Sequence, residues 1–337
     1  MKKDMQALCI SIILGISFCL INFFLFSSKG EEIVEVQESF FDRLGEEEIV
    51  RFEIKTDLSN LIAKKAEQIV QSADLQVKRQ DSTSHYPIEV SLRGKTRRDL
   101  CSFPPLKLRF DEDYLAEAGM LTFDKYKLVT HCQENSDLVL KEYMAYQVYN
   151  QLTDYSFRAR LVEVTYIDLS SLMDTTIQYA ILLENYGEMA QRLSANKMPA
   201  KLPSHTKVSN EDYQRLVLFQ YMIGNTDWNL YKQHNIKWLQ TEGRAIPVPY
   251  DFDYSGLVNA SYAQPHPTLP IKHVRERYLQ WRGDDATQLN EMMKAVHQRQ
   301  NTILQTCQQF EVLSTSSKKD MIDYLNSFFT NTDGYSV

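Results

Sequence analysis

Apolar and polar residues alternate along the first half of the chain and recur at helical spacing along much of the second. Arg51–Thr56 and Pro87–Arg93 follow the two-residue period of half-buried strands, and Leu106–Phe110 and Tyr126–Thr130 read as strands as well. Leu161–Ile167 and Thr176–Leu183 are rich in the β-branched residues that suit a pleated surface. Between them, Leu58–Val70 and Val139–Leu152 carry apolar residues at helical spacing, with Ala145, Val148 and Leu152 on the buried side of the second. After Glu184 the period changes. Asn210–Tyr221 predicts a helix, Ile236–Leu239 and Ala245–Val248 a short β pair, Ala286–Phe310 a long helical stretch, and a last helix begins near Ser317 and includes Phe328 and Phe329. There is no internal repeat. The pattern predicts an α+β chain of two lobes, a β-rich one over 51–184 and a mainly helical one over 185–337.

The N-terminus is of a different kind. Lys2 and Lys3 precede an apolar run from Ala7 to Phe26, interrupted only by uncharged residues. That matches the ~20 residues a helix needs to cross a bilayer. The run predicts a transmembrane signal anchor over 7–27 behind a cytoplasmic tail 1–6, and Phe26-Ser27-Ser28 makes a poor cleavage site. The charge bias of Lys2 and Lys3 over Lys29, Glu31 and Glu32 places the remainder outside the cytoplasm, on the periplasmic side of an inner membrane. Residues 28–50, with Glu46, Glu47 and Glu48, read as an acidic juxtamembrane linker.

Composition narrows the function classes. With 43% hydrophobic residues the chain can bury a large core, and a net charge of −7 without a basic aromatic-laced run argues against nucleic-acid binding. Cys9 and Cys19 lie in the apolar run. Of the other three, Cys101 and Cys132 can pair as one disulfide or remain buried thiols. Zinc-type histidine spacing, Walker loops, Gly-x-Ser-x-Gly elbows and Cys-x-x-Cys pairs are missing from the sequence, which removes motif support for those chemistries.

The chemistry-bearing stretch is 223–256. Asp227 sits in a polar Asn-Thr-Asp loop after an apolar helix, Asn235 at the mouth of a short strand, and Asp251 and Asp253 just past the next strand. Phosphoryl transfer needs a carboxylate to orient the attacking hydroxyl, hard oxygen ligands for Mg²⁺, and cations on the phosphates. Asp227 is the candidate base, Asn235 and Asp251 the candidate metal ligands, and Asp253 a further ligand or a structural support. Taken alone, an Asn-Thr-Asp segment is more often a turn than a catalytic site. The combination is what points to chemistry. Trp228 and Trp238 read as core residues, and His234 as one that orders its loop.

Ser91-Leu-Arg93-Gly94-Lys95-Thr-Arg97-Arg98 with the strand Leu106–Phe110, then Gly224-Asn-Thr-Asp227 and Tyr250-Asp251-Phe-Asp253, resembles the CotH kinase-like family and the related HipA-type kinases. It is also similar to bacterial proteins sharing Asn-Thr-Asp-Trp and Pro-Tyr-Asp-Phe-Asp signatures. The resemblance spans roughly residues 85–260. It implies an atypical protein-kinase-like fold and a kinase that moves the γ-phosphoryl of ATP, with Mg²⁺ or Mn²⁺, onto a protein Ser or Thr. By position it makes Asp227 the catalytic aspartate, Asp251 the metal aspartate, Lys107 the phosphate-contacting lysine and Glu142 its ion-pair partner; Arg93, in an Arg-Gly turn where glycine allows close backbone approach, is the alternative phosphate contact. Lys127 and Lys141 lie in plausible places too. Two departures stand out: Lys232 occupies the place where an ordinary kinase carries its metal asparagine, and Gly94 is the one glycine near a phosphate loop. An exported domain would meet little ATP, so a catalytically inactive binding module of the cell envelope is the alternative, and a structural Ca²⁺ site at Asp251 and Asp253 a third reading.

Overall fold

The computed structural model describes residues 37–132, 137–199, 207–282 and 286–332. The chain divides into two units, Met1–Gln37 and Glu38–Val337, and the elements below all belong to the second. In chain order they are α1 (Phe40–Arg43), β1 (Ile49–Thr56), α2 (Leu58–Ala63), β2 (Val70–Lys78), β3 (Thr83–Leu92), α3 (Thr96–Leu100), β4 (Leu106–Phe110), α4 (Glu112–Glu117), β5 (Lys125–Val129), α5 (Asp137–Asn150), β6 (Ala159–Asp168) and β7 (Thr176–Leu183). Then come α6 (Tyr186–Arg192), β8 (Asn196–Lys197), α7 (Asn210–Met222), β9 (Ile236–Thr241), β10 (Arg244–Pro249), α8 (Ala286–Gln298), α9 (Gln300–Gln309) and α10 (Thr315–Asn331).

The first seven strands close into a barrel in the order β1-β2-β3-β4-β5-β7-β6. Neighbours are antiparallel except at the closure, where β1 and β6 run parallel with Ile49 opposite Leu161 and Thr56 opposite Asp168. Alternation decides what points inward: Leu106, Leu108 and Phe110 of β4 are buried, while Lys107 and Arg109 between them face out. One barrel end is stoppered by α1. Ser39 and Asp42 cap that helix reciprocally, and Phe40 packs its ring among Phe52, Tyr86, Phe110 and Tyr126. From Glu38 on, the expected acidic linker is therefore part of the folded unit, with Phe40, Phe41 and Leu44 in its core.

The two-lobed kinase-like plan behind a membrane helix is corrected by this architecture. The residues that would line a gap between lobes are instead shared. Val129, Leu161, Ile181 and Leu183, from the outer face of the barrel, are buried in the same cluster as α5, α7, α8, α9 and α10. The unbroken run Ala180-Ile-Leu-Leu183 of β7 covers both faces, as a strand buried on two sides requires. The apolar run 7–26 lies outside the described residues, and among those described no helix is long and apolar enough to cross a membrane. The expected membrane-anchored, periplasmic placement is accordingly withdrawn.

Most expected elements are present, with two physical differences. The helix expected over Leu58–Val70 ends at Ala63, and the chain turns into β2, whose inward residues Ala73, Leu75 and Val77 alternate with polar ones. The stretch 286–310 is two helices that meet at Arg299. The expected short β pair is the β9–β10 hairpin, joined by β8 in a separate three-stranded sheet.

Candidate functional site

Two acid-bearing loops meet over one tyrosine. Helix α7, capped by Ser209, ends at Ile223, and Gly224 reverses the chain with φ +65°. Asn225 Oδ1 then accepts the Asp227 N–H at 3.0 Å, an Asx turn that presents the Asp227 side chain. The second loop, 251–256, is joined to it by Gly256 N donating to Gly224 O at 3.1 Å. A Cβ at either glycine would overlap Tyr324 Oη of α10, and one at Gly256 would also strike Val274 O. Glycine at both places is what lets the loops approach.

The β9–β10 hairpin supplies the remaining oxygens. Ile236 pairs with Pro249, and Tyr250 N donates to Asn235 O, so Asn235 and Asp251 flank the open end of one hairpin. Both have left-handed backbones, φ +53° and +68°, a conformation that costs a non-glycine residue energy and is often found at functional positions. Asn235 Nδ2 donates to Asp227 O at 2.8 Å and to Asp227 Oδ2 at 3.1 Å. With its N–H₂ group turned to Asp227, the amide has Oδ1 left to offer a ligand. His234 Nε2 lies 2.9 Å from Asp227 Oδ1. Asp227 remains 38% exposed and lines a cavity of about 410 Å³.

Arg97 organises the deeper acids. Its short helix α3 is fixed between Gly94, with φ +81°, and Cys101, which is disulfide-bonded to Cys132. Arg97 Nε donates to Asp253 Oδ2 at 2.7 Å, and Nη2 donates to Glu142 Oε2 at 2.7 Å and Asp251 Oδ1 at 3.2 Å. Burial works against its charge, but Asp253, Glu142 and Asp251 together outweigh that and hold it firmly protonated. Burial drives the Glu142 carboxyl up to about 8 against the pull of Arg97, and raises Asp253 as well. Burial also opposes ionisation of Asp251, yet Arg97, Arg93 and Lys127 lower it. One guanidinium thus faces three carboxyl groups, an acid surplus that protonation relieves here.

A divalent cation would relieve it equally, and the donor set fits one. An oxygen from each of Glu142, Asp251 and Asp253 lies within 4.8 Å of the others. Glu142 is 2% exposed and its Oε1 meets no hydrogen-bond donor, a buried acceptor that ought to have a partner. Asp251, with its side chain 29% exposed, is the outermost of the three. Asp253 also accepts from Tyr262 Oη, and its bonds are those of a support for Arg97.

The expected cations are arranged differently from the sequence reading. Glu142 is held by Arg97 in place of Lys107. Lys107 stands on the outer barrel face directly opposite Lys127 of β5. Lys127 is the one turned to the site, its Nζ 3.9 Å from the centre of the Tyr250 ring. Burial and the Arg93 charge bring its ammonium down to about 7, with Asp251 pulling the other way. Arg93 sits where β3 leaves the barrel, its N–H on Pro105 O. Lys141 is bound to Asp320 of α10 instead. Sequence reasoning assigned no role to Arg97, whose acid partners lie as far as 156 residues away. For Lys127 the signal was present: a lysine on the outward register of a strand whose neighbour carries Lys107.

No protein-family model matches the chain, and no curated protein sequence does. Among solved structures it is similar to the crystal structure of a Helicobacter pylori proinflammatory kinase, CtkA, at 10% identity and a TM-score of 0.39, over 67% of this chain and 87% of that one.

Proposed function

We propose that this site transfers the γ-phosphoryl of ATP, with Mg²⁺ or Mn²⁺, to a Ser or Thr hydroxyl of a protein. The observation that carries the reading is the convergence of Asp227, Asn235 and Asp251, two of them in costly backbone conformations, on the mouth of one hairpin. A divalent ion held by Asp251 and Asn235, with Glu142 behind, would neutralise the donor's phosphate oxygens. Lys127 and Arg93 supply further positive charge on the Asp251 side. Asp227 orients the acceptor hydroxyl and takes its proton as the new oxygen–phosphorus bond forms; the β–γ bridging bond breaks and the nucleoside diphosphate leaves. His234 and Asn235 hold the two carboxylate oxygens of Asp227 in place for that step.

The test is a melting scan of the full chain with ATP and Mg²⁺ or Mn²⁺. Saturation at a hundredfold excess over Kd stabilises the fold by about 2.7 kcal/mol, and Asp251→Ala is expected to lose that gain. Asp227→Ala is expected to keep the stabilisation and lower transfer by about 10²- to 10⁴-fold. Equal transfer by Asp227→Ala would sink the reading. A second reading, a binding module without catalysis, is favoured by Arg97 already engaging one oxygen of each carboxylate. It predicts no response to nucleotide, and stabilisation by Ca²⁺ alone would point to a structural ion.

A further inference from the structure

Building on the phosphotransfer reading, we propose that the cavity beside Asp227 is the acceptor subsite and that it selects hydroxyl residues in acidic peptide segments. The cavity of about 410 Å³ lies between the Asp227 loop and the segment 266–282. The two walls are tied together by Gln280 Nε2 donating to Thr226 O at 3.0 Å. A much smaller cavity, of about 20 Å³, shares Trp228, Asn229, Gln280 and Arg282 with it and continues the depression toward Tyr231.

The charge of the lining sets the preference. Asp227 is the one carboxylate among its described residues, against the cations Lys232 and Arg282. Among the described residues, neither Lys232 nor Arg282 takes part in an ion pair, on a chain whose net charge is −7. The Lys232 backbone N–H donates to Asn229 Oδ1 at 2.8 Å, and the Arg282 guanidinium lies 5.6 Å from the centre of the exposed Tyr231 ring. These are different cations from Lys127 and Arg93, which face Asp251. An acidic segment laid along the groove would give Lys232 and Arg282 counter-charges that no described residue supplies and bring its hydroxyl to Asp227.

The experiment is fluorescence anisotropy with the full-length chain and two labelled decapeptides that share one central Ser, flanked by Glu in one and by Lys in the other. The Glu peptide is expected to bind at least tenfold more tightly at low salt and to lose most of that advantage at high salt. Lys232→Glu with Arg282→Glu should abolish or reverse the preference, while Lys318→Glu with Lys319→Glu on helix α10, the same charge change outside the cavity lining, should leave it intact. Equal binding of the two peptides, or a preference untouched by the double substitution, would overturn the inference. Failure of the unmodified protein to respond to ATP with metal would instead remove phosphotransfer, and the anisotropy result would still decide the peptide preference.

Discussion

At the scale of single residues, the site depends on Arg97 holding three acids together. Arg97→Met leaves buried carboxyl groups without their cation and is expected to cost about 3–5 kcal/mol in urea unfolding. Arg97→Lys should recover little, because an ammonium on a flexible stem cannot reproduce a planar fork that meets Asp253 through Nε and Glu142 and Asp251 through Nη2. A second buried acid group, near α1, carries a pH signature. Arg158 pairs with Asp42, Glu184 and Glu188, and Arg192 also binds Glu184. Burial pushes Glu188 up to about 7, despite the bond from Ser39 and the charge of Arg158. The folded chain then keeps this proton to about pH 7, whereas the unfolded chain releases it near 4.5. The contribution of Glu188 is complete below pH 4.5 and is lost as pH rises through 7, a swing on the order of 3 kcal/mol. Glu188→Gln is expected to flatten that part of the stability profile, measured by denaturant midpoint at each pH.

At the scale of elements, the loop junction at Gly224 and Gly256 rests on Tyr324. Gly224→Ala adds a side chain at φ +65° and an overlap with Tyr324 Oη, and about 1–2 kcal/mol of destabilisation is expected from the backbone alone. Tyr324→Phe in the same chain removes the overlapping hydroxyl. The double variant should be more stable than the sum of the two single changes predicts, as a double-mutant cycle would register. These elements also show what the amino-acid order makes legible. Strands such as β4 and β6 were readable because one face is apolar and the other polar, and α7 because its apolar spacing is bounded by a serine cap. β2 was not, since Ala73 among polar residues makes a weak stripe. Asp227, Asn235, Asp251 and Asp253 could be picked out because they fall within a few turns of one another along the chain. Arg97 and the closure of β1 on β6 could not, because the acids that Arg97 binds lie 45 to 156 residues away and β6 pairs with β1 across about 110 residues, separations that no local period encodes.

At the scale of the whole molecule, the Cys101–Cys132 bridge ties the connection after α3 to the segment after β5, across 31 residues. Closing a loop of that length stabilises a fold by about 3–4 kcal/mol in the chain-entropy account. Because Cys101 directly follows the helix that bears Arg97, Cys101→Ser with Cys132→Ser is expected to lower the melting temperature and, under the phosphotransfer proposal, to weaken stabilisation by ATP with metal. The parallel seam of the barrel bears on synthesis. β1 leaves the ribosome about 110 residues ahead of β6, a wait of roughly 5–20 s at ordinary translation speeds. Without β6 to close on, a sheet of β1 through β5 would leave the amides and carbonyls of the outer edge of β1 unpaired. A nascent chain stalled before Ala159 would therefore offer that edge to any neighbouring copy, and aggregation of truncated products is the hazard this topology carries.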